Sequence, residues 1–267
     1  MLDFIHQSPA LAGLGAGLVT WLFTSLGAGA VFLKQEFSRK TLDILLGFAG
    51  GVMLAASVWS LLDPALELAA ESWGNWKFLP PAAGFFLGAL MLRLFDYATP
   101  HFHMMLARPD GPKSELPRSF LLVLAITLHN IPEALAVGVA FGAAALDPAI
   151  GVAGAVILMF GMGLQNIPEG MAVSLPLLRE GMSRRKAFFI GQLSGAVEPV
   201  AAVLGAALTA IALPVLPWAL GFAAGAMIFV TVEEVIPEAH ASGNGDAATL
   251  GLIAGFVAMM CLDVMFG

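Results

Sequence analysis

The chain has 267 residues, of which 59% are hydrophobic and only 12% charged, against about 25% charged in an ordinary soluble domain. Its net charge of −7 argues against a nucleic-acid partner, and its single cysteine, Cys261, excludes an intrachain disulfide or a thiolate metal cluster. Apolar runs of about 20 residues recur along the whole length, so the chain is predicted to be an all-α integral membrane protein in the lipid bilayer.

Eight transmembrane helices are predicted, at 10–33, 41–63, 79–98, 119–143, 149–177, 186–211, 215–239 and 247–266. Residues 1–10 contain no Lys or Arg, so the basic start of a cleavable signal is missing and the first apolar run is read as span 1. Span 2 carries Gly47-Phe48-Ala49-Gly50-Gly51-Val52-Met53 and ends near Asp63 and Glu67, two acids placed to attract incoming cations. Span 3 ends near Asp96 and is followed by His101-Phe102-His103. Spans 4 and 5 hold His129-Asn130-Ile131-Pro132-Glu133 and Gln165-Asn166-Ile167-Pro168-Glu169, and span 6 holds Glu198-Pro199. Span 7 carries Gly221, Glu233, Glu234 and Glu238 and is followed by His240, and span 8 contains Cys261, read as a packing residue, and Asp263. No loop is long enough to fold alone, so residues 1–267 form one transmembrane domain.

The basic residues orient these spans. Lys34, Arg39, Lys40, Arg93, Arg108, Lys113, Arg118, Arg179, Arg184, Arg185 and Lys186 fall on one side, and only Lys77 on the other. The positive-inside rule makes the first side cytoplasmic and puts both termini outside. Small residues four apart, at Gly47/Gly51, Gly84/Gly88, Gly191/Gly195, Gly221/Gly225 and Gly251/Gly255, are expected to let helix backbones approach closely.

Two internal duplications are visible. Residues 47–53 match residues 221–227 at five of seven positions, and Gly88 and Asp96 recur as Gly255 and Asp263. Spans 1–3 therefore repeat as spans 6–8, in opposite orientation, while the twin motifs pair spans 4 and 5 at the centre. An inverted repeat with broken helices in the middle is the pattern of a secondary transporter with its site near the midplane.

An ionised glutamate at mid-membrane costs roughly 2.5–3.5 kcal/mol or more, so the buried acids call for a cation. On a helix, residues three and four apart share a face, which groups His129 with Glu133 and Gln165 with Glu169. Pro132 and Pro168 each remove a backbone hydrogen bond and free a carbonyl one turn back. Three carboxylates, an imidazole and amides suit a divalent transition metal such as Zn2+, Fe2+ or Mn2+, and Met53 offers a thioether. A proton- or sodium-coupled carrier of an organic solute is the rival reading. An intramembrane metalloprotease would need H-E-x-x-H, whereas His129 is followed by Asn130; no enzyme activity and no resident cofactor are expected.

In these segments, together with Gly191-Gln192-Leu193-Ser194-Gly195-Ala196-Val197-Glu198-Pro199 and Glu233-Glu234-Val235-Ile236-Pro237-Glu238-Ala239-His240, the chain resembles the ZIP family of metal-ion transporters, in particular its GufA-like branch. The resemblance covers nearly the whole chain. It implies eight helices with both termini outside, a homodimer in the plasma membrane, and uptake of a divalent metal, Zn2+ first and Fe2+, Mn2+ or Cd2+ after it. It implies a centre for up to two ions, one lined by Met53, His129, Glu133, Gln165 and Glu169. The other would be lined by Asn130, Glu133, Asn166, Glu169 and Glu198. It further implies movement of spans 1, 4, 5 and 6 against spans 2, 3, 7 and 8, and a metal exit drawn from His101, His103, Glu234, Glu238 and His240. Gln165 stands where many members have a second His, Asn166 where some have Asp, and Glu233 where some have His.

Overall fold

The computed structural model describes residues 8–33, 37–98, 101–103, 108–110, 118–146, 152–179, 181–209 and 213–266; the side chains of Asp96, His101, His103 and His129 lie outside that description. Seven helical segments among the described residues are long and apolar enough to cross a bilayer, and an eighth, shorter apolar helix spans Leu79–Leu94. The chain is an all-α multi-pass membrane protein. The exception is a two-strand ribbon in which His101–His103 pairs antiparallel with Arg108–Asp110.

Span 1 is Pro9–Ala28 continued by Ala30–Leu33, and span 3 is Leu79–Ala98. Spans 4 and 5 are Arg118–Leu146 and Val152–Arg179, and span 8 is Gly245–Phe266. Local chemistry starts two of the cytoplasm-assigned ends: Ser38 Oγ accepts from Thr41 N and Ser183 Oγ from Lys186 N, filling orphan helix-start donors.

The helices break before Pro64, Pro199 and Pro237 rather than at the prolines of the twin motif. Spans 4 and 5 run straight through Pro132 and Pro168 as single helices, against the expectation of broken ones. A proline removes one ladder bond, and a membrane bundle re-satisfies the freed carbonyl from neighbours. Span 2 instead passes from Arg39–Ala56 through a π-helical turn at Ser57–Leu62 into Asp63–Trp73, about ten residues longer than expected. Span 7 does the same from Leu216–Val230 through Thr231–Val235 into Ile236–His240. Span 6 is split by a 3₁₀ turn, Gly195–Val197, between Arg184–Ser194 and Glu198–Thr209.

The packing obeys an internal twofold relation. Span 2 packs on span 8 as span 7 packs on span 3, and span 1 packs on span 5 as span 6 packs on span 4. The two π turns stand 174 residues apart, the offset of the duplicated segment. Ser57 Oγ donates to Met53 O and Thr231 Oγ to Met227 O, both at 2.8 Å, again 174 apart. Spans 1, 4, 5 and 6 pack mutually, the pairs 2–8 and 3–7 join through spans 2 and 7, and the groups meet where span 2 touches span 5 and span 7 touches span 4.

Glycine sets the closest contacts. A Cβ on Gly51 would lie 1.9 Å from the Leu252 carbonyl, and one on Gly225 would lie 1.9 Å from the Phe85 carbonyl, the equivalent place in the other pair. Backbone cannot yield there as a side-chain tip can. We expect Gly51→Leu to destabilise the protein by more than about 3 kcal/mol, beyond ordinary overpacking, read as a lower melting temperature and loss of the monodisperse species. An unchanged melting curve would show that spans 2 and 8 can part without cost.

The outer surface is apolar. Leu18, Leu22 and Leu26 line one face of span 1, and Phe86, Leu90 and Leu94 one face of span 3, all exposed. In lipid this is the stable arrangement, because acyl chains solvate such side chains. Cys261 follows the same rule: it is exposed on span 8 rather than packed, since burial is not required of an apolar residue that faces hydrocarbon.

Candidate metal centre

The twin motifs meet at the centre of the bundle. Asn130, Glu133, Gln165, Asn166, Glu169 and Glu198 are all buried, each no more than 6% exposed. Asn130 Nδ2 donates to Ser194 O at 3.1 Å, tying span 4 to span 6. Its repeat mate Asn166 donates from Nδ2 to Thr20 O at 3.5 Å, tying span 5 to span 1. Thr20 and Ser194 are themselves 174 residues apart, so the two bonds are related by the internal twofold.

The axis of that relation passes between Thr24 and Glu198. They are 174 residues apart, and Thr24 Oγ1 donates to Glu198 Oε1 at 2.7 Å. The site is therefore symmetric in backbone and unequal in chemistry: a hydroxyl faces a carboxylate across the axis. Glu198 Oε2 accepts from Asn166 Nδ2 at 2.9 Å, so both of its oxygens are held. Gly195 makes room for this, as a Cβ there would lie 2.6 Å from Glu198 Oε1. Gln165 Nε2 donates to Glu133 Oε2 and to Asn166 Oδ1.

Buried oxygens of the cluster without a hydrogen-bond partner among the described residues include Asn130 Oδ1, Glu133 Oε1 and Gln165 Oε1. All three can only accept, except for a protonated carboxyl, and a buried acceptor left unmet costs about 1–3 kcal/mol. A cation removes that cost. Carbonyl and carboxylate oxygens are hard-to-borderline donors, fitting a divalent ion held exchangeably rather than locked in a thiolate cage. Among the described residues, no three His, Cys, Asp or Glu side chains gather tightly enough to hold an ion unaided. The His129 side chain lies outside the described residues, and its backbone sits in span 4 one turn before Glu133.

Met53 is fully buried in span 2, with Sδ 3.6 Å from the Thr231 hydroxyl of span 7. Its repeat mate Met227 is equally buried. Met53 thus stands at the junction of the two helix groups, where span 2 meets span 5.

The other candidates are placed differently. Glu238 pairs with Arg39 at 3.3 Å, and Arg39 also pairs with Asp43 at 3.0 Å. His240 Nδ1 lies 2.8 Å from the Ile236 carbonyl and Nε2 lies 2.9 Å from the Thr249 hydroxyl, so both ring nitrogens are engaged. The structure thus gives Glu238 and His240 separate partners rather than one shared ligand position. Glu234 is half-buried in the π turn of span 7.

Asp63 and Glu67 line a cavity of about 620 Å³ with Trp59, Ser60, Glu71 and Asp263. Asp263 is 8% exposed; Ser60 Oγ donates to its Oδ1 at 2.7 Å, and its Oδ2 has no partner among the described residues. Sequence reasoning found Asp63 and Glu67 but not Glu71, although all three recur at four-residue spacing. It also passed over Thr20 and Thr24, whose only signal is the same spacing in span 1.

Residues 107–263 match the family model described as ZIP zinc transporter. The chain is 40% identical to the protein named zinc transporter ZIP11 of Xenopus tropicalis, over 97% of this chain and 98% of that one. It is 41% identical to zinc transporter GufA of Myxococcus xanthus, over 96% and 99%. It is 38% identical to zinc transporter ZIPB of Bordetella bronchiseptica, over 98% and 83%.

Proposed function

The chain belongs to the ZIP family, and on that premise we propose that it carries Zn2+ across the membrane into the cytoplasm by alternating access through the Glu133, Glu169 and Glu198 cluster. The single observation that supports this most is the set of unmet buried oxygens at Asn130, Glu133 and Gln165, in a centre that the internal twofold places between two inverted halves. Met53 and His129 complete the donor set by resemblance. Transport requires that the site face each side in turn. The two helix groups, 1/4/5/6 and 2/3/7/8, supply bodies that can rock against each other, with the ion between spans 2, 4 and 5. Fe2+, Mn2+ and Cd2+ share the donor chemistry and would compete.

Charge supports the orientation, and resemblance the inward direction. Eleven basic residues on one side against Lys77 on the other make the first side cytoplasmic. Both termini and the acidic cavity then face outward in the plasma membrane, and the whole chain acts as one domain, within a homodimer by resemblance. The cavity acids collect cations before they reach the centre. Reversing Asp63 and Glu67 together, D63K/E67K, is expected to raise KM for zinc several-fold at low ionic strength, with kcat little changed. The effect shrinks as salt screens the field; a KM that ignores both charge and salt would remove the cavity from the pathway.

The test of the function is uptake of Zn2+ into proteoliposomes holding the purified protein, read by an internal zinc-sensitive dye. Uptake that saturates with zinc and stops in chelator supports the reading. Flux that persists in chelator and requires an organic solute would instead favour the coupled carrier, which none of the named relatives suggests.

A further inference from the structure

The centre has two kinds of polar group, and they are not used alike. The amide nitrogens of Gln165 and Asn166 are spent on the carboxylates: Gln165 Nε2 on Glu133 Oε2, and Asn166 Nδ2 on Glu198 Oε2 at 2.9 Å. Thr24 takes the remaining oxygen of Glu198. The amide oxygen of Asn166 is occupied in turn by Gln165 Nε2. Among the oxygens without a partner are Asn130 Oδ1, Glu133 Oε1 and Gln165 Oε1, on spans 4 and 5, and neither oxygen of Glu198 is one of them.

We propose that the side-chain amides of Gln165 and Asn166 stand in for a second cation, so that this centre binds one divalent ion and uses Glu198 as a hydrogen-bonded strut between spans 1, 5 and 6. The inference rests on the metal-site reading above and adds its stoichiometry and the residues that set it. Charge, taken with these donors, gives the same answer. Glu133, Glu169 and Glu198 are the three buried carboxylates of the cluster. One divalent ion leaves a net −1, which hydrogen-bond donors can share; two ions leave a net +1, which amide N–H groups aimed at the carboxylates cannot relieve. In a low-dielectric interior an unneutralised charge of that kind is costly. An N–H donor presents only a partial positive charge, yet it satisfies a carboxylate oxygen in place without a counter-ion.

Position 166 is therefore the specificity-determining residue for ion number. Asn166→Asp replaces the donor with a fourth carboxylate: it releases Glu198 Oε2, puts one further acceptor oxygen in place of the amide nitrogen, and brings the charge of the cluster to −4, matched by two divalent ions. Gln165→Glu makes the equivalent change at the neighbouring amide.

The experiment is zinc stoichiometry on purified full-length protein in detergent, by calorimetric titration and by elemental analysis after desalting. Wild type is expected to bind one Zn2+ per chain at this centre, and Asn166→Asp two, with Gln165→Glu as the second variant should Asn166→Asp fail to give folded protein. The acidic cavity is kept out of the count by repeating the titration in D63K/E67K, which shifts only sites near the outer end. Two ions at the centre of wild type, or one ion in a folded Asn166→Asp protein, overturns the proposal. No ion bound by wild type overturns the metal-site reading itself, and this inference with it.

Discussion

Glu133→Gln is expected to weaken zinc binding by at least about 100-fold, roughly 3 kcal/mol, with no loss of folded protein. The change keeps the shape of the side chain and removes its charge. In the wild type Glu133 Oε2 accepts from Gln165 and Oε1 has no partner among the described residues, so one oxygen is anchored and the other offered to an ion. A glutamine keeps an acceptor for Gln165, which is why the fold survives. It presents an amide in place of a carboxylate to a divalent ion in a water-poor site, where charge-assisted interactions are strongest. Calorimetric titration measures this directly; an affinity within about threefold of wild type would mean that the ion is held elsewhere. Because zinc requires deprotonated carboxylates, binding to the wild type should also weaken as pH falls.

Arg39→Ala is expected to cost the protein about 3 kcal/mol, toward the lower end of what breaking a buried ion pair costs, because Arg39 is itself 30% exposed. Its partner Asp43 is fully buried near the start of span 2. Arg39 reaches Asp43 at 3.0 Å, Glu238 of span 7 at 3.3 Å and the Ser242 hydroxyl at 2.6 Å. It thus clamps the ends of spans 2 and 7 and the turn into span 8. Removing the guanidinium strands the carboxylate of Asp43, whose remaining partner is Asn244 Nδ2 at 2.9 Å. Adding Asp43→Asn should restore most of the loss, since the stranded charge is then gone. Thermal melts of the two single variants and the double variant measure the coupling; purely additive losses would show that the clamp is only two independent surface contacts.

What the sequence revealed of this molecule follows from cost. A glutamate in an apolar span is expensive, so Glu133, Glu169 and Glu198 stood out, and all three are buried at one centre. Close glycine contacts were legible for a similar reason: Gly51 and Gly225 occur in a duplicated segment where any larger residue would strike backbone. The π turns were not legible. Ser57–Leu62 and Thr231–Val235 are each followed two residues on by a proline, Pro64 and Pro237, which removes a ladder bond but does not by itself say that the turn before it widens by one residue. Prolines misled for the same reason, since Pro132 and Pro168 mark where a ladder bond is missing but not whether the bundle bridges the gap. Thr24 shows the limit most clearly. A threonine in a membrane helix commonly bonds its own preceding turn, and Thr24 Oγ1 does lie 3.4 Å from Thr20 O. Only the approach of span 6, with Glu198 at 2.7 Å, makes it part of the centre. His240 was legible only as a candidate from its motif; of the partners of its two ring nitrogens, Ile236 O lies in its own helix and the Thr249 hydroxyl depends on the approach of span 8.

The central claim is that zinc crosses this membrane through the paired motif of spans 4 and 5. Its most direct test is zinc uptake into proteoliposomes by wild type and by the double variant Glu133→Ala/Glu169→Ala, reconstituted at equal density and checked for fold by size exclusion. The account predicts saturable uptake by wild type and only the leak of empty vesicles for the folded double variant. Uptake by the double variant at the wild-type rate would contradict it.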